Sequence, residues 1–196
     1  MNLLISTGAI AGIAIGAVVL LLLIILLCWG ISARNGFVQM RNANEEAFAT
    51  IDVYLKKRYD LIPNLIETVK GYAKHESETL QNVIAARNNA ASATTTAEKI
   101  EADAQLSNAI RSINIVAERY PDLKANANFL DLSAQLKSIE SQLAEQRRFY
   151  NALVKKFNTN KELFPKSIIA AMMHLEKAPY FKLDSDEERQ NIKVQF

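Results

Sequence analysis

The sequence has few of the side chains that enzymes and metal sites most often use. Among its 196 residues are one cysteine, Cys28, two histidines, His75 and His174, and no glycine-rich phosphate-binding motif. A single cysteine excludes an intramolecular disulfide bond. Neither histidine has an acidic residue three positions before it, so the sequence lacks the Glu-x-x-His pairs of di-iron helical bundles. We therefore predict no metal, no cofactor and no catalytic residue.

Charged side chains are missing from the first 33 residues, since the 23 basic and 21 acidic residues all lie from Arg34 onward. The run from Gly8 to Cys28 has 21 residues without a charge or a proline. A hydrocarbon core about 30 Å thick needs roughly 20 apolar helical residues to cross it. We predict a transmembrane segment at residues 1–33. The nearly balanced charge gives no reason to expect nucleic acid as a partner.

Two forms of N-terminal processing are disfavoured. A cleaved signal peptide usually has a basic start and a small-x-small cleavage site, and here no Lys or Arg precedes the apolar run. Leu27, rather than a small residue, precedes Cys28, which argues against attachment of a lipid to that cysteine. We expect the apolar helix to be retained.

The charges beyond the apolar run predict its orientation. Arg34 and Arg41 precede the first acidic residue, Glu45. Positively charged flanks stay in the cytoplasm. We expect a single-pass protein of the inner membrane with a short extracytoplasmic N-terminus and a cytoplasmic C-terminal domain.

Three glycines recur at every fourth position of the apolar run, at Gly8, Gly12 and Gly16. Small residues with this spacing lie on one helix face and let a second helix approach closely within lipid. The pattern predicts a homo-oligomer that forms partly through the membrane helix. Because glycine is common in membrane helices, an incidental pattern is the alternative.

Apolar residues recur with helical spacing in the rest of the chain, which predicts an all-α protein. We expect an antiparallel four-helix bundle over 34–176, with a short extra helix from Pro165 to about Glu176 and an irregular tail over 177–196. Asp60 is the expected cap of the second bundle helix, with Pro63 in its first turn. Asn88 to Thr96 is expected to be a mobile connection. Thr95 and Glu98 have the spacing of a capping box for the third helix.

The fourth bundle helix has the most regular pattern, with nine positions spaced alternately by three and four residues. Eight of the nine are apolar or aromatic, which indicates a buried seam of the kind found in helical bundles. The positions are Phe129, Leu132, Leu136, Ile139, Leu143, Gln146, Tyr150, Leu153 and Phe157.

A few polar residues are candidates for ligand contacts or for structural ion pairs. Glu76 is a candidate inward-facing carboxylate, answered by an arginine such as Arg58, Arg87 or Arg147, because a buried charge needs a partner; a structural ion pair or a solvated edge is the favoured interpretation. The stretch RRFYN places Arg147 next to the seam residue Tyr150. Arginine binds phosphates through two parallel hydrogen bonds, so a lipid headgroup or a nucleotide is one candidate ligand. The favoured interpretation is a structural ion pair at a helix edge.

Several stretches resemble the LemA family of bacterial membrane proteins. They are RYDLIPNLIETVKGYAKHE (Arg58 to Glu76), the block from Ala117 to Asn158, LFPKSIIA and PYF. The resemblance runs from Phe37 to Phe196. It implies one N-terminal membrane helix and a cytoplasmic antiparallel helical bundle, and it implies no catalytic residue.

Three functions compete. The favoured one is a non-enzymatic, self-assembling scaffold or interaction component of the bacterial envelope, with the lipid bilayer and other envelope proteins as partners. The second is a small-ligand sensor or enzyme using Glu76, Arg147 and Tyr150. The third is an oligomeric pore lined by the glycine face, although that face has no charged or polar ring to select ions.

Overall fold

The computed structural model describes residues 7–181, and every regular element in that range is a helix. The predicted all-α class is thereby confirmed. The helices are α1 (Thr7–Tyr72), α2 (Ser77–Ser92), α3 (Thr96–Arg119), α4 (Pro121–Lys124), α5 (Ala127–Glu162) and α6 (Lys166–Met172).

α1 is one helix of 66 residues, and this corrects the expected helix start at Asp60. Pro63 lies inside α1, on its exposed side. Proline removes one backbone hydrogen bond, but Ile62, Leu65 and Val69 are fully or almost fully buried around it. Packing of these apolar side chains offsets the lost bond, so α1 continues to Tyr72.

The N-terminal part of α1 is the one described segment long and apolar enough to cross a membrane, with a mean hydropathy of 3.0 over 18 residues. Its large apolar side chains between Ile13 and Leu27 are 51 to 67% exposed. A helix that is apolar all round and unburied in its own chain has the character of a membrane span. Gly8 lies within α1, but its surroundings fall outside the description.

The connection between α2 and α3 is shorter than expected. α2 extends to Ser92, so residues 88–92 are helical and the expected mobile connection is reduced to residues 93–95.

The predicted capping box is confirmed: the Glu98 amide donates to Thr95 Oγ1 (3.2 Å), and the Thr95 amide donates to Glu98 Oε2 (2.9 Å). These reciprocal bonds fix the start of α3.

The capping box predicts a measurable pH dependence. Hydrogen bonds from the Thr95 and Thr94 amides lower the pKa of Glu98 from 4.5 to about 2. A carboxyl group whose pKa is lower in the folded state stabilises the fold above pH 4.5 and loses that effect as the pH falls to about 2. We expect Glu98→Gln to lose less stability than the wild type across this range, measured by urea unfolding of the full chain in detergent micelles.

Glu101→Gln is the matched control for this prediction. It removes the same charge one turn further along α3, outside the capping box. The control should keep the wild-type dependence of unfolding free energy on pH. Equal slopes for Glu98→Gln and the wild type would show that another group titrates.

The seam predicted for the last long helix lies within α5 and is mostly confirmed. Phe129, Leu143 and Tyr150 are among its buried members. Two of the nine positions are only half-buried, Gln146 and Leu153, although Leu153 still packs against the apolar core; their neighbours Arg147 and Val154 are buried. Beyond Leu143 these two positions move by one residue, to Arg147 and Val154, while Tyr150 and Phe157 remain buried as predicted.

The described residues divide into two compact units. The first comprises residues 7–42 and 156–177, where the rings of Phe37 and Phe157 meet edge to face at 6.2 Å. The second comprises residues 43–155 and 178–181 and contains a large apolar core. α1 and α5 each contribute residues to both units.

α6 is shorter than predicted and ends at Met172. His174 has a left-handed backbone with φ of 50°. The Leu175 amide donates to the Ala170 carbonyl and the His174 amide to the Ala171 carbonyl, which is the bond pattern of a Schellman motif. His174 therefore terminates a helix. Residues 175–181 have no regular structure, and the remainder of the predicted tail lies outside the description.

Candidate functional site

Two arginines and two acidic residues from three helices form a closed ring of ion pairs in the second unit. Asp103 of α3 lies between the two arginines, with Oδ1 2.9 Å from Arg58 Nη1 and Oδ2 2.5 Å from Arg147 Nη2. Glu140 closes the other side, with Oε2 3.0 Å from Arg58 Nη2 and Oε1 3.1 Å from Arg147 Nη1. The ring joins α1, α3 and α5.

The ring is largely removed from water. The side chains of Arg58, Asp103 and Arg147 are 5, 3 and 8% exposed, and only Glu140, at 38%, reaches solvent. Moving charges out of water is costly unless each has an opposite charge and hydrogen bonds. Here each carboxylate oxygen faces an arginine nitrogen, so the four charges compensate one another, and Glu140 Oε2 does so through its charge alone, because it forms no hydrogen bond with the described residues.

A hydroxyl group extends the ring along α3. Ser107 Oγ accepts a hydrogen bond from Arg58 Nη1 at 3.0 Å and donates one to the Asp103 carbonyl at 2.9 Å. Ser107 is 8% exposed. It supplies a further acceptor, beside the two carboxylates, to a buried guanidinium, which has five donors to satisfy. The ring is thus a hydrogen-bonded network as well as a set of charges.

Local sequence explains why these charges are buried. Arg58 follows the buried residues Ile51 and Leu55 and precedes Ile62, with spacings of four, three and four. On a helix this spacing places residues on one face. Asp103 has the same relation to Leu106, three positions later. Both charged residues occupy seam positions, and the sequence interpretation missed Asp103 and Glu140.

The ring influences a neighbouring phenol. Tyr59 is 8% exposed, and its hydroxyl has no hydrogen-bond partner among the described residues. Burial, and then the negative charges of Asp103 and Asp52, raise the pKa of Tyr59 well above 10. The phenol is therefore neutral across the physiological pH range.

Glu76 lies apart from the ring, which corrects its expected pairing with Arg58, Arg87 or Arg147. Its Oε2 is 2.9 Å from Arg119 Nη2, and its Oε1 accepts a hydrogen bond from the Tyr120 hydroxyl at 3.2 Å. Glu76 precedes α2, and Arg119 ends α3, which packs against α2. The pair therefore joins the ends of two neighbouring helices.

Tyr150, the remaining candidate, contacts the chain's own C-terminal segment, residues 178–181. The Tyr150 hydroxyl donates to the Pro179 carbonyl at 3.1 Å. Next to it, Asn151 Oδ1 accepts from the Phe181 amide (3.0 Å) while Asn151 Nδ2 donates to the Phe181 carbonyl (2.9 Å). One amide side chain thus satisfies both backbone groups of a residue without regular structure.

The Phe181 ring anchors this segment. It is 5% exposed, stacks on Phe48 with centroids 6.1 Å apart and meets Tyr150 edge to face at 5.6 Å. The Arg147 guanidinium carbon lies 5.5 Å from the Phe181 ring centre, within the range of a cation–π contact. The structure thereby brings Arg147 and Tyr150 together around Phe181, while burial raises the pKa of Tyr150 to about 12.

Neither a metal-binding cluster nor the groove between α2 and α3 includes the candidate residues within the described part of the chain. Within residues 7–181, no three histidine, cysteine or acidic side chains are placed to hold a metal ion. A surface groove between α2 and α3 is lined by Asn89, Thr94, Glu98 and Gln105, among others, and does not include Arg58, Glu76, Arg147 or Tyr150. Arg58, Glu76 and Arg147 thus form contacts between helices, and Tyr150 forms a contact between α5 and residues 178–181.

These features define a class: an all-helical protein with one apolar N-terminal helix and a buried ion-pair ring. Comparison with known proteins gives the family. The LemA family model matches residues 47–196, so the chain belongs to the LemA family. It is also 23% identical over 163 residues to Protein LemA of Metamycoplasma hominis, covering 83% of this chain and 74% of that relative. The matched range includes the ring and the docked C-terminal segment.

Proposed function

We propose that this protein is a non-enzymatic, single-pass membrane protein whose helices act as a scaffold or interaction component of the bacterial envelope. The observation that carries the proposal is the exposure of the large apolar side chains between Ile13 and Leu27 on a helix that continues without a break to Tyr72. Such a surface is stable in lipid and costly in water. The first part of α1 is the membrane anchor, and the later part belongs to the soluble helices.

The orientation and the bundle are part of this proposal. Arg34 and Arg41 follow the apolar run, which supports an inner-membrane protein with its soluble helices in the cytoplasm. Seams on α1 and α5, together with the ring that joins these helices to α3, support an antiparallel four-helix arrangement. Labelling introduced cysteines with a membrane-impermeant reagent in intact cells tests the orientation.

Self-assembly rests on the glycine face of α1. Among the described residues, nothing lies within 4 Å of a Cβ added at Gly12 or Gly16. A side chain that begins at Gly12 therefore meets no other group of its own chain at the Cβ, so we attribute any loss of association in Gly12→Leu to contact with another helix. We expect Gly12→Leu to weaken association in lipid by about tenfold, measured by energy transfer between labelled chains in vesicles.

Ala14→Leu is the control for this prediction. Two positions along a helix correspond to a rotation of about 200°, so Ala14 lies on the opposite face from Gly12. The control should associate like the wild type, and neither variant should change the unfolding midpoint of the soluble helices. Equal association of Gly12→Leu and the wild type would remove the glycine face from the proposal.

The sensor or enzyme remains a less supported alternative. Glu76, Arg147 and Tyr150 each bond to other groups of the protein: Glu76 to Arg119, Arg147 to Asp103, and Tyr150 to the Pro179 carbonyl. A ligand would have to displace these partners. A pore lined by the glycine face has less support still, since the face offers ions no polar group.

A further inference from the structure

The turn between α5 and α6, together with α6 itself, exposes large apolar side chains in the first unit. Phe164 is 81% exposed, Met172 72%, Leu163 56% and Ile168 51%. These four residues lie within ten positions of one another. Apolar side chains concentrated in this way mark an interaction surface more often than isolated exposed ones do. We call these four residues the apolar tip.

The tip lies beside the end of the apolar run of α1. Ile169 Cδ1 of α6 is 3.8 Å from the position that a Cβ on Gly30 would occupy. Gly30 follows Trp29, and both are half-buried, whereas the preceding apolar residues of α1 are exposed. Tryptophan is enriched where a helix leaves the hydrocarbon core. α6 therefore packs against α1 at the level where the predicted span ends.

Because α6 is short, all four residues of the apolar tip lie near the end of the predicted membrane span. Seven residues at about 1.5 Å each make a helix about 10 Å long. Such a helix is too short to cross a bilayer, which needs roughly 20 residues. It can lie in the interface, where an amphipathic segment buries its apolar side about 5 to 10 Å deep.

The charges of this region suit a lipid surface. Residues 156–177 contain four lysines and two glutamates, and Lys177 and Glu162 of this set form an ion pair at 2.6 Å. Clustered lysines near a membrane helix attract anionic headgroups of the cytoplasmic leaflet. The same excess of positive charge would repel a second copy of the chain, because both copies carry it, so anionic lipid is the better match for this surface.

We propose that the apolar tip is a second membrane contact, which inserts into the interface of the leaflet where α1 leaves the bilayer. This inference rests on the proposed function, because it requires α1 to span the membrane. The chain then holds the membrane at two points, and α6 fixes the depth and rotation of α1 in the bilayer.

Fluorescence quenching tests the proposal in the full chain. In a Cys28→Ser background, single cysteines replace Phe164 or Met172 and carry an environment-sensitive dye. The chains are placed in nanodiscs of phosphatidylcholine and phosphatidylglycerol, with or without lipids spin-labelled near the headgroup. We expect at least about twofold quenching at both positions, because interfacial side chains lie at this depth.

Two further positions separate the possible outcomes. Ile115, which is 63% exposed in the second unit, is the control for an exposed apolar site and should be quenched less than about 1.2-fold by the same lipids. Leu22, within the predicted span, reports on α1 through lipids labelled deep in the acyl chain.

Quenching at Leu22 without quenching at Phe164 and Met172 overturns the second contact and leaves the membrane anchor intact. A blue-shifted but unquenched dye at position 164 also overturns it, because the tip is then covered by protein. Loss of quenching at Leu22 instead removes the proposed anchor.

Discussion

The Asp103→Ala variant should lose about 3 to 5 kcal/mol of unfolding free energy, the usual effect of removing one partner from a buried ion pair. Asp103 is the carboxylate that both buried arginines share. Without it, Arg58 and Arg147 keep only Glu140 as an acidic partner in the ring, and that side chain is partly exposed to water. Urea unfolding of the full chain in detergent micelles, followed by circular dichroism, measures the loss.

Asp60→Ala is the matched control, because Asp60 forms an exposed ion pair with Lys56 whose side chains are 57 and 76% exposed. Exposed pairs contribute at most about 1 kcal/mol. A loss for Asp103→Ala no larger than that for Asp60→Ala would contradict the ring's role in stability.

A second substitution separates the ion pair from packing. Arg58→Met should cost about 1 to 3 kcal/mol less in the Asp103→Ala background than in the wild type, because the arginine has already lost its buried partner there. Additive effects of the two substitutions would mean that Arg58 contributes independently of Asp103, through Glu140, Ser107 or the apolar contacts of its side-chain stem.

The helices that the sequence predicted well are those with local signals. The capping box of α3 depends on Thr95 and Glu98, which are three residues apart. The α5 seam depends on a spacing repeated over many turns. Both signals act within one helix, so no knowledge of distant residues was needed.

The continuation of α1 through Asp60 was not predicted, because the local signals at this point favour the start of a new helix. Asp60 and Pro63 have the spacing of a helix start, and only burial of the surrounding apolar residues outweighs them. Placing a helix start at Asp60 also split the seam that includes Arg58. With Ile62 as the next seam position, Arg58 is identified as a buried cation.

The ring itself could not be predicted in full. Asp103 is 45 residues from Arg58 and 44 from Arg147 along the chain. A seam position can indicate that a charge is buried, but the choice of partner depends on how the helices pack. This is why Glu76 was assigned to the wrong arginines, although a need for an opposite charge was correctly inferred.

The docked C-terminal segment is held by a side chain whose role has no sequence signal. Asn151 is a polar residue next to the α5 seam, and nothing in its spacing indicates that it binds the backbone of Phe181, 30 residues later. The expected irregular tail is correct in that residues 177–181 are not helical. What was missed is that this part of it is bound.

Phe181→Ala should release this segment. Truncation of a buried phenylalanine costs about 3 kcal/mol or more, and here it also removes the contacts with Phe48, Tyr150 and Arg147. We expect exchange of the Phe181 amide, which donates to Asn151 Oδ1, to become about 100-fold faster, since each 1.4 kcal/mol changes an opening equilibrium tenfold. Hydrogen–deuterium exchange and mass spectrometry of the full chain measure this change.

The adjacent Tyr180→Ala variant is the control, because Tyr180 is 44% exposed and its ring is absent from the aromatic cluster around Phe181. Its exchange should stay within about threefold of the wild type, as expected for a surface substitution. Phe181→Ala should also lower the free energy of unfolding by up to about 3 kcal/mol, because docking of the segment stabilises the native state, whereas Tyr180→Ala should leave it nearly unchanged. If both variants accelerate exchange equally, the aromatic ring is not the anchor, and the paired hydrogen bonds of Asn151 must hold the segment instead.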